Sequence, residues 1–455
     1  MLLRTDLLEG SSSSGFSCET TIALLPWGDV WDDFLDSIGV SLEVFCTKGP
    51  GGWMLGYMEA LQRVGIRTVL ILISAQVDAP QRFTHAATGA TITVLPVPKL
   101  YRRLRPYIPN PYANTTDPLP SANAFSTRLR SKAASLIAPY IATPVGLLMQ
   151  ELRRESCCAI FCQDYESPRF DVCVGIGQWL HLPVLACFQS GSSEPNPIGR
   201  LLRRFTLPAS AGLAIGPQTE IQRVSLRYRF THTTIAQIFN PIDVLLWQST
   251  DQAEARRAFG LPATAEVVVW HGRIEFATKR LDVLLNAWEQ VCRDRPQRDL
   301  HLMLMGIGQD AELLRQRIAQ FPWPNIHWVD RYATNQAEIR QFLSAGNVYA
   351  FTSSYEGFPV APIEAMSCGL PLVATDASGV PDLLKDGEQS GGMLIPRGDI
   401  SAFAQALGQL LDNPERQQEL GQQARRRIEE AFSLEAIGQQ FLTLLAKAGI
   451  PTASH

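Results

Sequence analysis

The sequence predicts an α/β protein built from two doubly wound, Rossmann-like domains in tandem, their sheets facing a common cleft. Three observations lead there. The chain has 455 residues, past the size at which one hydrophobic core keeps growing, so two domains of roughly 200 residues each are expected. Short apolar runs recur with helix-like segments between them, the pattern of parallel sheets covered on both faces. The series also changes character at "FNPID", where Asn240, Pro241 and Asp243 read as the exit from a sheet into a linker.

The first series contains "TIALLPWG" (21–28), "RTVLILIS" (67–74), "ATITVLPV" (90–97), "CAIFCQD" (158–164) and "LPVLACFQS" (182–190). The second contains "EVVVWHG" (266–272), "HLMLMGIG" (301–308), "NIHWVD" (325–330), "NVYAFTS" (347–353) and "LPLVATD" (370–376). A first domain is therefore expected over 1–238 and a second over 239–432. Residues 433–455 read as a terminal helix capped by Ser433 and turned back toward the first domain. Ser11 to Ser14 read as a flexible lead-in.

Composition excludes several classes. With 40 basic and 44 acidic residues, a net charge of -4 offers no global field for nucleic acid. Nine cysteines without regular spacing argue against a disulfide framework and for a reducing compartment. Cys157, Cys158 and Cys162 run into an apolar strand and read as small core residues, so no metal site is expected. The N-terminal stretch has charges inside its apolar patch and nothing long enough to span a bilayer. A cytoplasmic location is expected. "LYRRLRPYIPNPY" (100–112) and "GRLLRRFTLP" (199–208) interleave basic with aromatic or apolar residues, and read either as solvated faces or as peripheral contact with an anionic membrane face.

Doubly wound sheets bind ligands at the carboxyl ends of their strands. At one such end stand His271, Gly272 and Arg273, with Lys279 six residues after the arginine. Two fixed cations there suit a diphosphate and would neutralise charge on a leaving phosphate. After "NVYAFTS" comes "SYEGFPV", a turn, and then a helix beginning near Ala361 with Pro362 in its first turn. Gly357 lets the backbone approach a ligand, and free N–H groups at a helix start favour an anion. Glu356 and Glu364 are carboxylates able to accept paired sugar hydroxyls, as in the ribose contact of dinucleotide sites. Beyond them, "ASGVPDLLKDGEQSGGMLIPRGD" reads as a Gly-rich turn with Asp382 and a second polar turn ending at Asp399.

"GRIEFATKRLDVLL", "YEGFPVAPIEAMSCGLPLVATDASGVPDLL" and "GGMLIPRGD" together resemble the C-terminal domain of retaining glycosyltransferases of GT-B fold, called group 1 or family four. The resemblance covers roughly residues 240 to 435. It implies a nucleotide-sugar donor (UDP-, GDP- or ADP-sugar), with Glu356 on the donor sugar, Glu364 on the ribose, and Arg273 and Lys279 on the diphosphate. Gly357 and Phe358 would offer backbone groups, with Gly272, Gly308, Pro359 and Val360 completing the donor side. No further cofactor is implied, and the two cations would do a metal's electrostatic work. In the first domain the resemblance is looser. Gly49, Gly51 and Gly52 open a helix where the family places a loop between acceptor and donor, and Asp164 and Glu166 end a strand at the cleft. Where many members carry a histidine, this chain has Gln189, which can hold a hydroxyl but not transfer a proton at neutral pH.

The implied activity is transfer of a hexose to a glycan, lipid or small-molecule acceptor, without a side-chain nucleophile. Three other readings fit parts of the sequence. A nucleotide-sugar-binding protein without transfer activity fits Gln189. A nucleotide-dependent oxidoreductase fits Gly306 and Gly308 between a strand and a helix. A retaining glycosidase would use Glu356 and Glu364 as its two carboxylates.

Overall fold

The computed structural model describes residues 20–48, 52–108, 110, 125–189, 197–333 and 335–452. Its first sheet contains β1 (Thr21–Leu25), β2 (Arg67–Ser74), β3 (Gln81–Thr84), β4 (Thr91–Pro96), β5 (Ala159–Cys162), β6 (Val184–Cys187), β7 (Gly212–Ile215) and β8 (Thr234–Gln237). They lie in the order β3-β4-β2-β1-β5-β6-β7-β8, and only β3 runs antiparallel to its neighbour. The second sheet contains β9 (Glu266–His271), β10 (Leu300–Met305), β11 (Ile326–Val329), β12 (Val348–Phe351), β13 (Leu372–Thr375) and β14 (Gly392–Ile395), in the order β11-β10-β9-β12-β13-β14. Every pairing in it is parallel.

The apolar runs form strands because both faces of each sheet are covered. β12 and β13 are buried throughout, and β9 is buried at all but its first residue. Four strands lie outside the ten runs. β3 is an exposed edge strand with little apolar content. β7 (GLAI) begins with a glycine, and β8 (TIAQ) has two apolar residues and none fully buried, so neither makes a clear apolar run. β14 adds a strand inside "ASGVPDLLKDGEQSGGMLIPRGD", which was read as two turns: Gly392–Ile395 pairs with β13 along its whole length.

The order of the strands fixes where a ligand can sit. In the second sheet the chain goes from β9 outward to β10 and β11, then returns to β12 on the other side, so the switch point lies between β9 and β12. In the first sheet it lies between β1 and β5. The loops at those two ends carry most of the residues discussed below.

Two chain crossings join the sheets. The segment after β8 leaves the first sheet, and Ile242 N–H donates to the Phe432 carbonyl at 2.9 Å. Ile242 also bridges Ser433. The Ser433 hydroxyl then accepts the Ala436 N–H at 3.2 Å, capping a helix at Leu434–Lys447. That helix packs on the first domain's helix Gly52–Arg63, so closely that a Cβ on Gly438 would stand 2.5 Å from the Ala60 carbonyl oxygen. Phe441 meets the edges of Tyr57 and Phe161 at 5.4 and 5.3 Å between ring centres.

Candidate active site

The mouth of the second sheet is shaped by backbone. Past β9 and β10 two loops cross in contact: a Cβ on Gly306 would lie 1.9 Å from the Gly272 carbonyl oxygen, and one on Gly308 would lie 2.2 Å from that of Ile274. Gly306 also holds a φ of +140°, which side chains rarely adopt. Only glycine fits at either position. These two glycines are thus required by the crossing itself, and need no dinucleotide to explain them.

Between these loops and the first domain lies a cavity of about 650 Å³. Its floor is His271 at the end of β9 with Gly272, Arg273 and Glu275 beyond it, and Met305 at the end of β10 with Gly306 to Gln309 beyond it. Tyr332 and Ala333 close one side, and Val360, Ala361 and Glu364 the other. Phe34, Ser37 and Ile38, from the first domain's helix Asp32–Ile38, form the roof. The volume therefore belongs to both domains, although most of its chemistry comes from the second.

Five of the expected donor-side residues line the cavity: Gly272, Arg273, Gly308, Val360 and Glu364. Glu364 sits in the first turn of the helix Ala361–Ser367, and its Oε2 lies 2.8 Å from His271 Nε2. The Tyr349 hydroxyl donates to the His271 carbonyl at 3.2 Å and fixes the backbone beneath. His271 thus orients the carboxylate, a role that the sequence reading gave to no residue. The Arg273 side chain is 63% exposed, with Glu275 its nearest acid at 4.0 Å.

Lys279 and Glu356 lie outside the cavity lining and hold each other, Nζ to Oε1 at 2.5 Å, with side chains 22% and 14% exposed. The two cations expected side by side are thus arranged differently: Arg273 is largely exposed on the rim, with only a long ion pair to Glu275, and Lys279 is neutralised by the carboxylate expected on the donor sugar. Gly357, Phe358 and Pro359 are buried. The Phe358 ring packs within 2.6 Å of the position of a Cβ on Gly216 and stacks on Phe239 at 5.1 Å. Its side chain is an interdomain plug, and its carbonyl accepts from Asn240 Nδ2 at 3.5 Å.

The first sheet's mouth is made of buried charge. After β1, Asp32 accepts from the Ser74 hydroxyl at 2.7 Å and the Ala75 N–H at 2.6 Å, and Asp33 pairs with Arg105. Arg169, 4% exposed, donates to the Pro26 and Asp29 carbonyls. Burial outweighs these partners: it raises Asp29 and Asp32 above the usual carboxylate range and pushes Asp33 up to about 6. After β5, Asp164 accepts the Glu166 N–H at 3.0 Å. Glu166 is pushed up to about 7 by burial and by Asp164, despite Arg223 at 2.9 Å. Gln189 pairs with Asn240 and does not line the cavity. Gly52 opens the helix Gly52–Arg63, and Gly51 lies outside the described residues. Sequence reasoning missed Asp29, Asp32 and Asp33, although "WGDVWDDFLD" directly after a strand is the signal that could have found them.

Residues 265–413 match the family described as "Glycosyl transferases group 1". The second domain is a group 1 glycosyltransferase domain. The matched segment carries every donor-side residue named above, from Gly272 to Glu364. N-acetyl-alpha-D-glucosaminyl L-malate synthase of Bacillus anthracis is 24% identical over 212 residues, 46% of this chain and 53% of that protein. A GDP-mannose-dependent monoacylated alpha-(1-6)-phosphatidylinositol monomannoside mannosyltransferase of Corynebacterium glutamicum is 25% identical over 249 residues, 51% of this chain and 63% of that one. The chain thus matches between half and two thirds of the length of these relatives. Among solved structures, Anabaena HepE in complex with UDP superposes with a TM-score of 0.65 at 16% identity, covering 94% of this chain and 100% of that one. The group 1 domain and the domain before it together make the GT-B fold.

Proposed function

We propose that this protein is a retaining glycosyltransferase, metal-independent, that moves a hexose from a nucleotide diphosphate sugar to an acceptor hydroxyl. One observation carries the reading. A cavity of about 650 Å³ at the switch point of a group 1 domain gathers Gly272, Arg273, Gly308, Val360 and Glu364, under a roof from the other domain. Glu364, oriented by His271, would accept the ribose hydroxyls. Arg273 would meet the diphosphate, and Lys279 would join it by exchanging Glu356 for phosphate, which frees Glu356 for the sugar's hydroxyls. The acceptor hydroxyl would attack the anomeric carbon on the face the diphosphate leaves. The sugar–phosphate bond breaks with its electron pair going to phosphate, and that oxygen takes the acceptor's proton. Support for a nucleotide-sugar donor also comes from the UDP bound to the Anabaena protein and from the name of the GDP-mannose-dependent Corynebacterium enzyme.

Glu364 faces the cavity while Glu356 is tied to Lys279 outside its lining, so the two do not flank one volume as a glycosidase pair must. The experiment is a thermal-shift panel of UDP, GDP and ADP, in which the true nucleotide stabilises the protein by mass action. Lys279→Ala or Glu364→Ala should remove that shift and lower turnover by roughly 10²- to 10³-fold. Wild-type shifts and turnover in both variants would refute the donor site.

The same reading includes an acceptor-side partner, an anionic membrane face. The helix Pro197–Thr206 turns Arg203 inward, and leaves Leu201 and Phe205, 57% and 68% exposed, beside the exposed Arg200 and Arg204. No described helix is long and apolar enough to cross a membrane. Phe205→Ser should lower co-sedimentation with anionic vesicles and leave the little bound to neutral ones unchanged; equal sedimentation with anionic vesicles would exclude this contact.

A further inference from the structure

Asn240 was read from the sequence as a linker residue, yet it is 2% exposed and sits where the domains meet. Its side-chain amide makes four hydrogen bonds. Oδ1 accepts from the Tyr57 hydroxyl at 3.0 Å and from Gln189 Nε2 at 2.7 Å. Nδ2 donates to Gln189 Oε1 at 3.2 Å and to the Phe358 carbonyl at 3.5 Å. An asparagine amide has two donor hydrogens and two acceptor lone pairs, so its capacity is full. The Phe358 carbonyl, which can only accept, sets which way round the Asn240 amide lies, and the Gln189 amide and Tyr57 hydroxyl orient to match it.

The four groups come from four places. Tyr57, 1% exposed, lies on the helix Gly52–Arg63. Gln189 follows β6, Asn240 follows β8, and Phe358 lies two residues beyond Glu356 in the loop after β12. The surroundings hold Asn240 in place. Pro241 packs against Gly56, where a Cβ would stand 3.1 Å from its Cγ. Phe239 packs against both Phe358 and Phe432, at 5.1 and 4.5 Å, and those two rings also meet each other at 6.0 Å. A buried amide network with every member satisfied favours one arrangement over its neighbours, because breaking any bond strands a polar group away from water.

We propose that Asn240 is a positioning residue that locks the loop carrying Glu356 to the first domain through Gln189 and Tyr57. This rests on the donor-site reading above. Glu356 then reaches its working place only while the two domains are together, and Gln189 acts as the amide partner that holds Asn240, with no part in proton transfer. The conservative probe is Asn240→Asp, nearly the same shape but unable to donate. Its carboxylate would turn an oxygen toward the Phe358 carbonyl and Gln189 Oε1, both acceptors.

Hydrogen exchange of the intact protein without ligand reads the lock directly. Asn240→Asp should speed exchange of the backbone amides across 353–360 by about tenfold or more. Calorimetry with UDP, GDP and ADP, and turnover of the matching nucleotide sugar with water as acceptor, read its consequence. Nucleoside diphosphate affinity should stay within about 3-fold of wild type while kcat falls by roughly 10²-fold, the scale of a misplaced group in a preorganised site. Gln189→Ala should show the same pattern more weakly, and the double variant should be no worse than Asn240→Asp alone, because both act through one network. Should Asn240→Asp not fold, Gln189→Ala carries the same two readouts. Unchanged exchange across 353–360, additive losses of kcat, or diphosphate affinity falling in step with kcat would each overturn the proposal. If wild type bound none of the three diphosphates, the donor-site reading would fail, and exchange would still decide whether the lock exists.

Discussion

The two sheets end in mouths of different construction. Among the described residues, and counting Asp, Glu, Lys, Arg and His, the first domain buries Asp32, Asp33, His85, Glu151, Asp164, Glu166, Arg169, Asp171, Arg203 and Glu220 below a tenth of their surface, whereas between β9 and β14 only His271 lies so deep. The second mouth is shaped by glycine backbone, and its charged groups keep partial exposure, from 14% for Glu356 to 63% for Arg273. The lesson is one of cost. A backbone crossing fixes geometry through sterics, which neither pH nor salt alters, while buried carboxylates fix it through charges that desolvation opposes.

The comparison predicts different points of failure. The largest effect is expected at Gly306→Ala, where the new Cβ meets the Gly272 carbonyl oxygen and φ is already unfavourable. A cost of about 3 kcal/mol or more should lower the second domain's unfolding midpoint by roughly 6 to 12 °C, read by calorimetry. An unchanged midpoint would mean that the loops do not cross in contact.

A smaller effect is expected from Glu166→Gln, and it should depend on pH. The folded-state value of Glu166, about 7, lies above its ordinary 4.5, so between those values the folded protein holds more protons than the unfolded chain. Stability from this group is therefore lost as pH rises from about 4.5 to about 7. The glutamine variant removes that loss, and should be more stable than wild type by about 1 to 3 kcal/mol at pH 8, with the advantage vanishing near pH 4.5. A pH-independent difference would mean that Glu166 is not held in its neutral form by burial.

How much of this was legible follows from the same contrast. The donor mouth could be read because its residues lie in contiguous stretches whose glycines and helix starts carry local meaning, as in "YEGFPVAPIE". Ten of the fourteen strands were legible for the same reason, each lying in a contiguous apolar run, while β3, β7, β8 and β14 were not. What could not be read depends on partners far apart in the chain. Lys279 and Glu356, 77 residues apart, each suit a ligand when taken alone, and only the fold shows that they pair. Gln189 stood out, but its partner Asn240 looked like linker. The ring of Phe358 gave no sign of facing the other domain.

The paired crossings of the chain bear on motion. The peptide passes from one half to the other beside Ile242 and returns beside Phe432 and Ser433, and these points are joined by a hydrogen bond and a bridge. The two passages are therefore held as one junction, and any movement that drew residue 242 away from 432 and 433 would first have to break that hydrogen bond and that bridge.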